Sequence, residues 1–463
     1  MRRLAFCAAG VLLTPAAMAD LPRLAVQDLG TLGGRFTTAT SVNEAGQVTG
    51  YSETADGQIH AFIYANGALR DLGALGGTGS LGASLNGRGA VTGFALTPTG
   101  AAHSFLYNAG LMTDLGAAGT ASAGKAINAA GQIAGETTGA DGQKHAVVYM
   151  PGAAPNDLGP IGTSSTAEAI NAVGAVTGTF QDSSGSHAFL FSSGSVVDLM
   201  PGQVSFVSGT SAMNDLGQIA GGFDASGVTR AFVYADGRAA DIGTLGGDYA
   251  VALAINGTGK ATGIAARADG ERHAFIYAAG AMSDLGTLGG TMSIGYALND
   301  SDQVAGQSLT AGAVAHAFVS ISTNGSLIDL GQLVEAQQAP GAVGESAAFG
   351  INRLGVVIGR YTLNDPADVQ MPVKNRAFIA TPVGALFDAL VAQVTGVGPG
   401  KSLVNKIQAA LVLYLAGDQG GVCAALAGFV NEVNAQDGKK IEPALAIQLR
   451  QEVTAIENAL GCQ

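Results

Sequence analysis

All six histidines of the chain occupy one position of a repeating pattern, and an aspartate follows each of them. The histidines are His60, His103, His145, His187, His273 and His316. Regularly spaced histidines and carboxylates suit a metal site or a proton relay, since both side chains bind metals and exchange protons. Two further copies of the pattern, however, carry Arg230 and Arg376 at this position. Because arginine donates hydrogen bonds but does not bind metals, the property common to all eight copies is a donor.

The acceptor that matches this donor is a recurring aspartate. It appears as Asp28, Asp71, Asp114, Asp157, Asp198, Asp241, Asp284 and Asp329. If Asn66-Gly67 forms a two-residue hairpin turn, Phe62 lies opposite Asp71, and His60 lies diagonal to Asp71 on the same sheet face. We therefore predict structural donor–acceptor pairs, one per repeat. We assign no catalytic residue, no metal site and no cofactor to the chain.

The repeat that positions these residues is marked by an asparagine before an x-x-Gly turn. It recurs at Asn43, Asn86, Asn128, Asn171, Asn214, Asn256, Asn299 and Asn352, in steps of 42 or 43 residues and a last step of 53. A fixed period of this length indicates a repeat array. In the repeat at 38–73, turn signals separate four short β-prone runs, which predicts a four-stranded antiparallel meander.

Repeated four-stranded sheets around an axis predict an all-β propeller of about eight blades. The eighth repeat reaches Arg376-Ala377-Phe378 but lacks its fourth strand, and the chain begins with an orphan strand at 24–29. We expect this N-terminal strand to complete the last blade and close the ring. The alternative is an open β-solenoid, which would not require matching half-units at the two ends.

Two segments near the last repeat, 333–345 and 361–374, are longer than their counterparts. Long loops on a rigid scaffold often bind ligands. Their charged residues Glu335, Glu345, Asp365 and Asp368 are therefore the candidate binding residues. The alternative is a tolerated surface insertion.

The N-terminus has the features of a secretory signal peptide at 1–19: Met1-Arg2-Arg3, a short apolar run, and Ala17-Met18-Ala19. The alternative, a membrane anchor, would need roughly 20 apolar residues. A net charge of −13 without a basic cluster argues against nucleic acid or an anionic membrane as a partner. After cleavage only Cys423 and Cys462 remain, and in an exported protein they predict a disulfide.

Composition changes after Pro382, so we divide the mature chain into repeats at 20–382 and a helical domain at 383–463. Leu403, Ile407, Leu411 and Leu415 recur every fourth residue, as on one helix face. Similar spacing at 422–434 and 444–460 predicts a small helical bundle.

The D-L-G-x-L-G-G, I-N-x-x-G and H-A-F segments over about 24–380 resemble the probable extracellular repeat called the HAF family. Arg230, Arg376 and the segment Asp198-Leu199-Met200 depart from that pattern. The segment from Phe429 to Lys440 resembles the FIMAH domain, a C-terminal module of many exported bacterial proteins. The two resemblances imply a secreted or surface bacterial protein with no established activity.

Two functions are compatible with these features. The first is a non-catalytic extracellular binding or scaffold protein, whose ligand is a glycan or another protein. The second is a secreted hydrolase or lyase that acts on a glycan and is built on a propeller. Glycan cleavage usually needs two carboxylates in different environments, and here most aspartates recur with the repeat. The sequence therefore favours binding.

Overall fold

The computed structural model describes residues 24–116, 120–159, 161–321, 326–335, 343–364, 373–398 and 401–462. Its antiparallel sheets form an eight-bladed β-propeller, followed by a small helical bundle. The predicted fold class is confirmed, including the N-terminal strand in the last blade. The predicted signal peptide lies outside the described residues, as do Asp365 and Asp368.

Blades 1 to 8 are numbered by the asparagine that each contains, from Asn43 to Asn352. The strands of blades 1 to 4 are β2 (Gly33–Val42), β3 (Val48–Thr54), β4 (Ile59–Ala65) and β5 (Ala68–Asp71); β6 (Ser80–Leu85), β7 (Val91–Leu96), β8 (Ala102–Asn108) and β9 (Leu111–Asp114); β10 (Ser122–Ile127), β11 (Ile133–Thr138), β12 (Lys144–Tyr149) and β13 (Asn156–Asp157); β14 (Ser164–Ile170), β15 (Val176–Asp182), β16 (Gly185–Ser192) and β17 (Ser195–Asp198). In each blade the strands pair in chain order.

Blades 5 to 7 continue the same order, and one parallel residue pair, Arg272 with Met292, connects blades 6 and 7. Their strands are β18 (Ser205–Phe206), β19 (Ile219–Asp224), β20 (Thr229–Ala235) and β21 (Arg238–Asp241); β22 (Gly246–Ile255), β23 (Ala261–Arg267), β24 (Arg272–Ala278) and β25 (Ala281–Asp284); β26 (Gly289–Leu298), β27 (Val304–Thr310), β28 (Ala315–Ser320) and β29 (Leu327–Asp329). A short helix, α1 (Leu330–Glu335), follows β29.

Blade 8, the closing blade, combines the two ends of the repeat region. Its strands β30 (Val343–Ile351), β31 (Val357–Asn364) and β32 (Val373–Pro382) are completed by the N-terminal strand β1 (Leu24–Asp28). We call β1 the closing strand. It pairs antiparallel with β32, from Leu24 opposite Pro382 to Asp28 opposite Phe378. The predicted ring closure is therefore present.

The H-A-F segment explains how one blade packs on the next. Phe62 of blade 1 is fully buried, and its hydrophobic cluster includes Leu29 and Ala377 from the closing blade. Phe105 of blade 2 lies in the same way with Ala61 and Leu72 of blade 1. The small alanine thus leaves room for the phenylalanine of the following blade, which makes the interface between blades a continuous core.

Two local features set the shape of each blade. The hairpin at Asn66-Gly67 has φ angles of 52° and 76°, as a two-residue turn with positive φ at both central residues requires. It places Phe62 opposite Asp71, as predicted. On the inner side, a Cβ on Gly50 would collide with the carbonyl oxygen of Thr38. Glycine is therefore required where the second strand passes closest to the first.

The direction of the strands defines two faces of the ring. The Asn turns join first to second strands, and the third-to-fourth-strand hairpins return on the same side, which we call the Asn face. The second-to-third-strand turns and the connections between blades lie on the opposite side, which we call the His face. First strands of neighbouring blades contact one another, as β2 does with β6 and with β30, so they surround the central channel.

The helical bundle starts where β32 ends, on the Asn face. Its helices are α2 (Val383–Val394), α3 (Ser402–Leu415), α4 (Gln419–Gln436) and α5 (Pro443–Leu460). Leu403 and Ile407 are fully buried, but Leu415 is 63% exposed. A spacing of four advances about 40° per step around a helix with 3.6 residues per turn, so the predicted stripe rotates out of the core. The third buried position of α3 is instead Ala410.

Cys423 and Cys462 form the predicted disulfide, which joins α4 to the end of α5. Among the described residues, no helix has both the length and the apolar character needed to cross a bilayer.

Candidate functional site

The recurring donors and acceptors meet in pairs, within each blade, on the His face. Nδ1 of His60 lies 2.9 Å from a carboxylate oxygen of Asp71. The other histidine pairs are His103–Asp114, His145–Asp157, His187–Asp198, His273–Asp284 and His316–Asp329, with separations of 2.8 to 3.4 Å. Nε of Arg230 lies 2.7 Å from Asp241, and Nη2 of Arg376 lies 2.8 Å from Asp28. Histidine and arginine therefore occupy equivalent sites with the same partner.

The aspartate of each pair also caps the turn that leads to the next blade. An Oδ1 atom of Asp71 accepts the backbone N–H of Gly73 at 2.7 Å. The same bond forms in blade 4, where Met200 replaces the glycine and donates to Asp198 at 2.9 Å. With His60 on one side and the turn on the other, the carboxylate of Asp71 is held by two donors. These two bonds fix the orientation of the carboxylate within its blade.

Burial and charge partners change the pKa of two of the histidines. The carboxylate of Asp329 raises the pKa of His316, and burial opposes this effect. The pKa of His145 is raised chiefly by Asp157 and also by Asp141. A raised pKa favours the charged imidazolium, which strengthens the pair with its aspartate. In the described part of the chain, no three His, Cys, Asp or Glu side chains come together as a metal site.

The recurring asparagines have a second role that the sequence alone did not reveal. As predicted for a turn former, Oδ1 of Asn43 accepts the N–H groups of Ala45 and Gln47. In addition, Nδ2 of Asn43 donates to the backbone carbonyl of Asn86 in the next blade at 3.0 Å. The same bond occurs at seven of the eight blade junctions, including Asn352 to Asn43 across the ring closure. The asparagines therefore link the blades into a ring.

The candidate binding residues from the sequence do not form a described cluster. Glu335 ends α1 and Glu345 lies in β30, so they flank the connection at 336–342. Both belong to the His face, where the connections between blades lie. Glu345 is exposed and Glu335 is partly buried. Because Asp365 and Asp368 are outside the described residues, the predicted group of four carboxylates stays a prediction.

The wall of the central channel carries side chains that do not repeat. In seven blades a β-bulge lies in the first strand three residues before the asparagine, and a bulge re-aims its side chain. At this position Lys125 pairs with Glu168 of the next blade at 2.6 Å. At the same position in blades 7 and 8, the aromatic side chains of Tyr296 and Phe349 have centroids 5.7 Å apart. These side chains contact one another between blades, so they help to hold neighbouring blades together as well as lining the channel.

A cleft of about 870 Å³ separates the closing blade and blade 1 from the bundle. We call it the junction cleft. It lies on the Asn face, between the closing strand, the hairpin at Asn66-Gly67 and the helices α2 and α5. Four exposed residues of α5 line it, Ile447, Gln451, Thr454 and Asn458, at a spacing that places them on one helix face. Clefts of this size between domains are common ligand sites.

Polar groups of the junction cleft are held by neighbouring side chains. Glu452 accepts hydrogen bonds from Nε2 of Gln393 at 2.8 Å and from Nε2 of Gln448 at 2.9 Å. Burial raises the pKa of Tyr64 to about 12, an effect that a hydrogen bond with Gln27 opposes. The phenol of Tyr64 therefore stays protonated at neutral pH. Sequence reasoning missed this cleft because its walls come from opposite ends of the chain.

Comparisons with known proteins assign no family to the chain. The chain matches no protein-family model and no curated protein. Among solved structures, a puromycin-hydrolyzing peptidase from Mycobacterium tuberculosis is 12% identical over 73% of this chain and 60% of that chain, with a TM-score of 0.42. TolB from Acinetobacter baumannii is 12% identical over 54% of this chain and 63% of that chain, with a TM-score of 0.32. The BP39L lectin from Burkholderia pseudomallei is 13% identical over 66% of this chain and 97% of that chain, with a TM-score of 0.34. These neighbours are propeller-type proteins, and the chain spans less than two thirds of the first two.

Proposed function

We propose that this chain is an exported, non-catalytic binding protein whose ligand occupies the junction cleft. One observation carries the proposal: the polar residues that recur are bonded to one another, whereas the junction cleft is a single, unrepeated cavity. Each His or Arg donor is paired with its Asp, and the asparagines link neighbouring blades. A binding or catalytic site is one asymmetric arrangement, so residues repeated eight times are poor candidates for it.

Export is supported by the residues at 1–19 and by the disulfide. A basic start, a short apolar run and Ala17-Met18-Ala19 fit a cleaved signal peptide. Disulfides persist in oxidising compartments, so the bond between Cys423 and Cys462 fits a periplasmic, surface or secreted location. The resemblance to HAF repeats and to the FIMAH domain points in the same direction. N-terminal sequencing of the exported protein should begin at Asp20; an uncleaved N-terminus would contradict export by this route.

The absence of turnover is tested on the mature protein purified from Asp20 onward. We expect no product from panels of polysaccharide, ester and peptide substrates, because the recurring aspartates are each bonded to a His or Arg donor of their own blade. Hydrolysis or elimination that disappears on Glu335→Gln, Glu345→Gln, Asp365→Asn or Asp368→Asn would overturn the proposal. It would place an enzyme on the His face, in the segments that interrupt the repeat.

A further inference from the structure

We infer that the junction cleft binds an uncharged saccharide. This inference rests on the proposed binding function and adds the class of ligand. Its basis is the chemistry of the cleft wall, which combines several amide side chains, two exposed aliphatic side chains and a carboxylate that has no salt bridge among the described residues.

The amides come from both sides of the cleft. Asn66 belongs to the blade 1 hairpin, and Gln393, Gln448, Gln451 and Asn458 belong to α2 and α5. Each amide carries both donors and acceptors, which matches a hydroxyl group that also donates and accepts. An apolar ligand would cover these amides without satisfying them, at a cost for each group left unpaired. The wall therefore favours a molecule rich in hydroxyl groups.

Charge in the cleft argues against an anionic ligand. Nη1 of Arg450 lies 3.0 Å from the carboxylate of Asp437, so this guanidinium already has an anionic partner. Asp28 is paired with Arg376, and Glu44 lies 3.9 Å from Arg353. Glu452, in contrast, has amide partners only and no salt bridge among the described residues. A carboxylate without a cation repels phosphates and uronic acids but accepts strong hydrogen bonds from hydroxyl groups.

The apolar part of the cleft wall suits the C–H face of a sugar ring. Leu354 is 59% exposed and Ile447 is 51% exposed, so both side chains present apolar surface. Both line the junction cleft, one from the closing blade and one from α5. A pyranose carries C–H groups on its faces and hydroxyl groups on its edge. The combination of aliphatic and amide side chains can therefore contact both.

The test uses the intact mature protein and a panel of neutral oligosaccharides (gluco-, xylo-, manno- and galacto-series), with an oligogalacturonate as the anionic comparison. Binding is measured by titration calorimetry. We expect at least one neutral series to bind and the oligogalacturonate not to bind. Gln451→Ala should weaken binding about three- to tenfold, as expected for the loss of one hydrogen bond. Gln451→Trp, which removes the same amide and narrows the cleft, should weaken it further.

Gln408→Ala is the matched control, because Gln408 is an exposed glutamine on α3 outside the cleft. It should leave the affinity unchanged, and melting curves of all variants should overlap that of the parent. Three outcomes would overturn the inference. Binding that Gln451→Trp does not affect places the sugar outside the junction cleft; the protein is then still a binding protein, but the proposed position of its ligand is wrong. Oligogalacturonate bound in the cleft in place of neutral sugar leaves the proposed binding function standing. If neither neutral nor charged ligands bind, the inference and the proposed function fail together.

Discussion

The fourth strands of the regular blades and the closing strand occupy equivalent places but differ in their surroundings. In blades 1, 2, 5 and 6, the fourth strand is the outer edge of its sheet and is largely exposed; Ala68 of β5 and Leu111 of β9 face solvent. In the closing strand, Leu24, Ala25 and Val26 are all buried. An edge strand is normally a site of unwanted pairing, and here it is covered.

The closing strand is buried because its two sides contact different parts of the molecule. Leu24 and Val26 pack with blades 7 and 8, whereas Ala25 lies in the hydrophobic core of the bundle with Val383 and Phe387. The bundle therefore covers the one strand that joins the two ends of the ring. Regular blades are held by their neighbours in sequence, but the closing blade also depends on a separate domain.

The polar contacts of the regular blades and of the closing blade also differ. In a regular blade the donor and the aspartate are about eleven residues apart, as with His60 and Asp71. In the closing blade Arg376 reaches Asp28 across 348 residues, and the hydroxyl of Tyr361 donates to the same carboxylate at 2.8 Å. Tyr361 is fully buried, and this burial, with the negative charge of Asp28, raises its pKa. The long-range closure thus has an additional donor.

Deleting residues 20–30 should have the largest effect, because it removes the closing strand and exposes both β32 and the bundle core. We expect the melting temperature to fall by on the order of 10 °C or more. Differential scanning calorimetry of the deletion variant measures this change. A melting curve like that of the intact protein would show that the strand does not close the ring.

Replacing Cys423 and Cys462 with serine should be the next largest change. In the chain-entropy account, a disulfide across 39 positions contributes about 4 kcal/mol. The loss should be concentrated in the bundle and the closing blade, which hydrogen exchange can locate. Two free thiols titrated in the unreduced mature protein would contradict the bond itself.

A matched pair of substitutions compares the two kinds of fourth strand directly. Ala25 and Ala68 both lie three residues before the blade's aspartate, but Ala25 is 6% exposed and Ala68 is exposed. Ala25→Asp should lower the free energy of unfolding by roughly 2–4 kcal/mol, because it buries a charge. Ala68→Asp should change it by less than about 0.5 kcal/mol. Equal effects in urea denaturation would mean that the bundle does not cover the closing strand.

The smallest effect concerns the histidine pairs of the regular blades and their pH dependence. Since Asp329 raises the pKa of His316, the stabilising contribution of this pair is fully present below the unfolded pKa of about 6.5. It is lost as the pH rises through the higher folded value. His316→Arg should keep the hydrogen bond and flatten this dependence, whereas His316→Ala should lose both. Denaturation midpoints from about pH 6 to about pH 9 measure this; an unchanged slope in His316→Arg would contradict the assignment.

Local patterns made much of the fold predictable. The hairpin signal at Asn66-Gly67 determined the register that brings His60 to Asp71, and the orphan strand at 24–29 indicated closure. The bond from Asn43 to Asn86 was not predictable in this way, because the acceptor is a backbone carbonyl of another blade. Nor was the junction cleft, since nothing in α5 or in the closing strand indicates that they meet. Contacts between separate domains leave no periodic signal in the sequence.

The most direct test of the difference between the closing blade and the regular blades is amide hydrogen exchange in the unmodified mature protein. The closing strand and β5 each pair with one neighbouring strand only, so their backbone pairing is comparable. If the bundle covers the closing strand, amides of residues 24–28 should exchange markedly more slowly than those of residues 68–71. Exchange at equal rates in the two strands would contradict this account of ring closure.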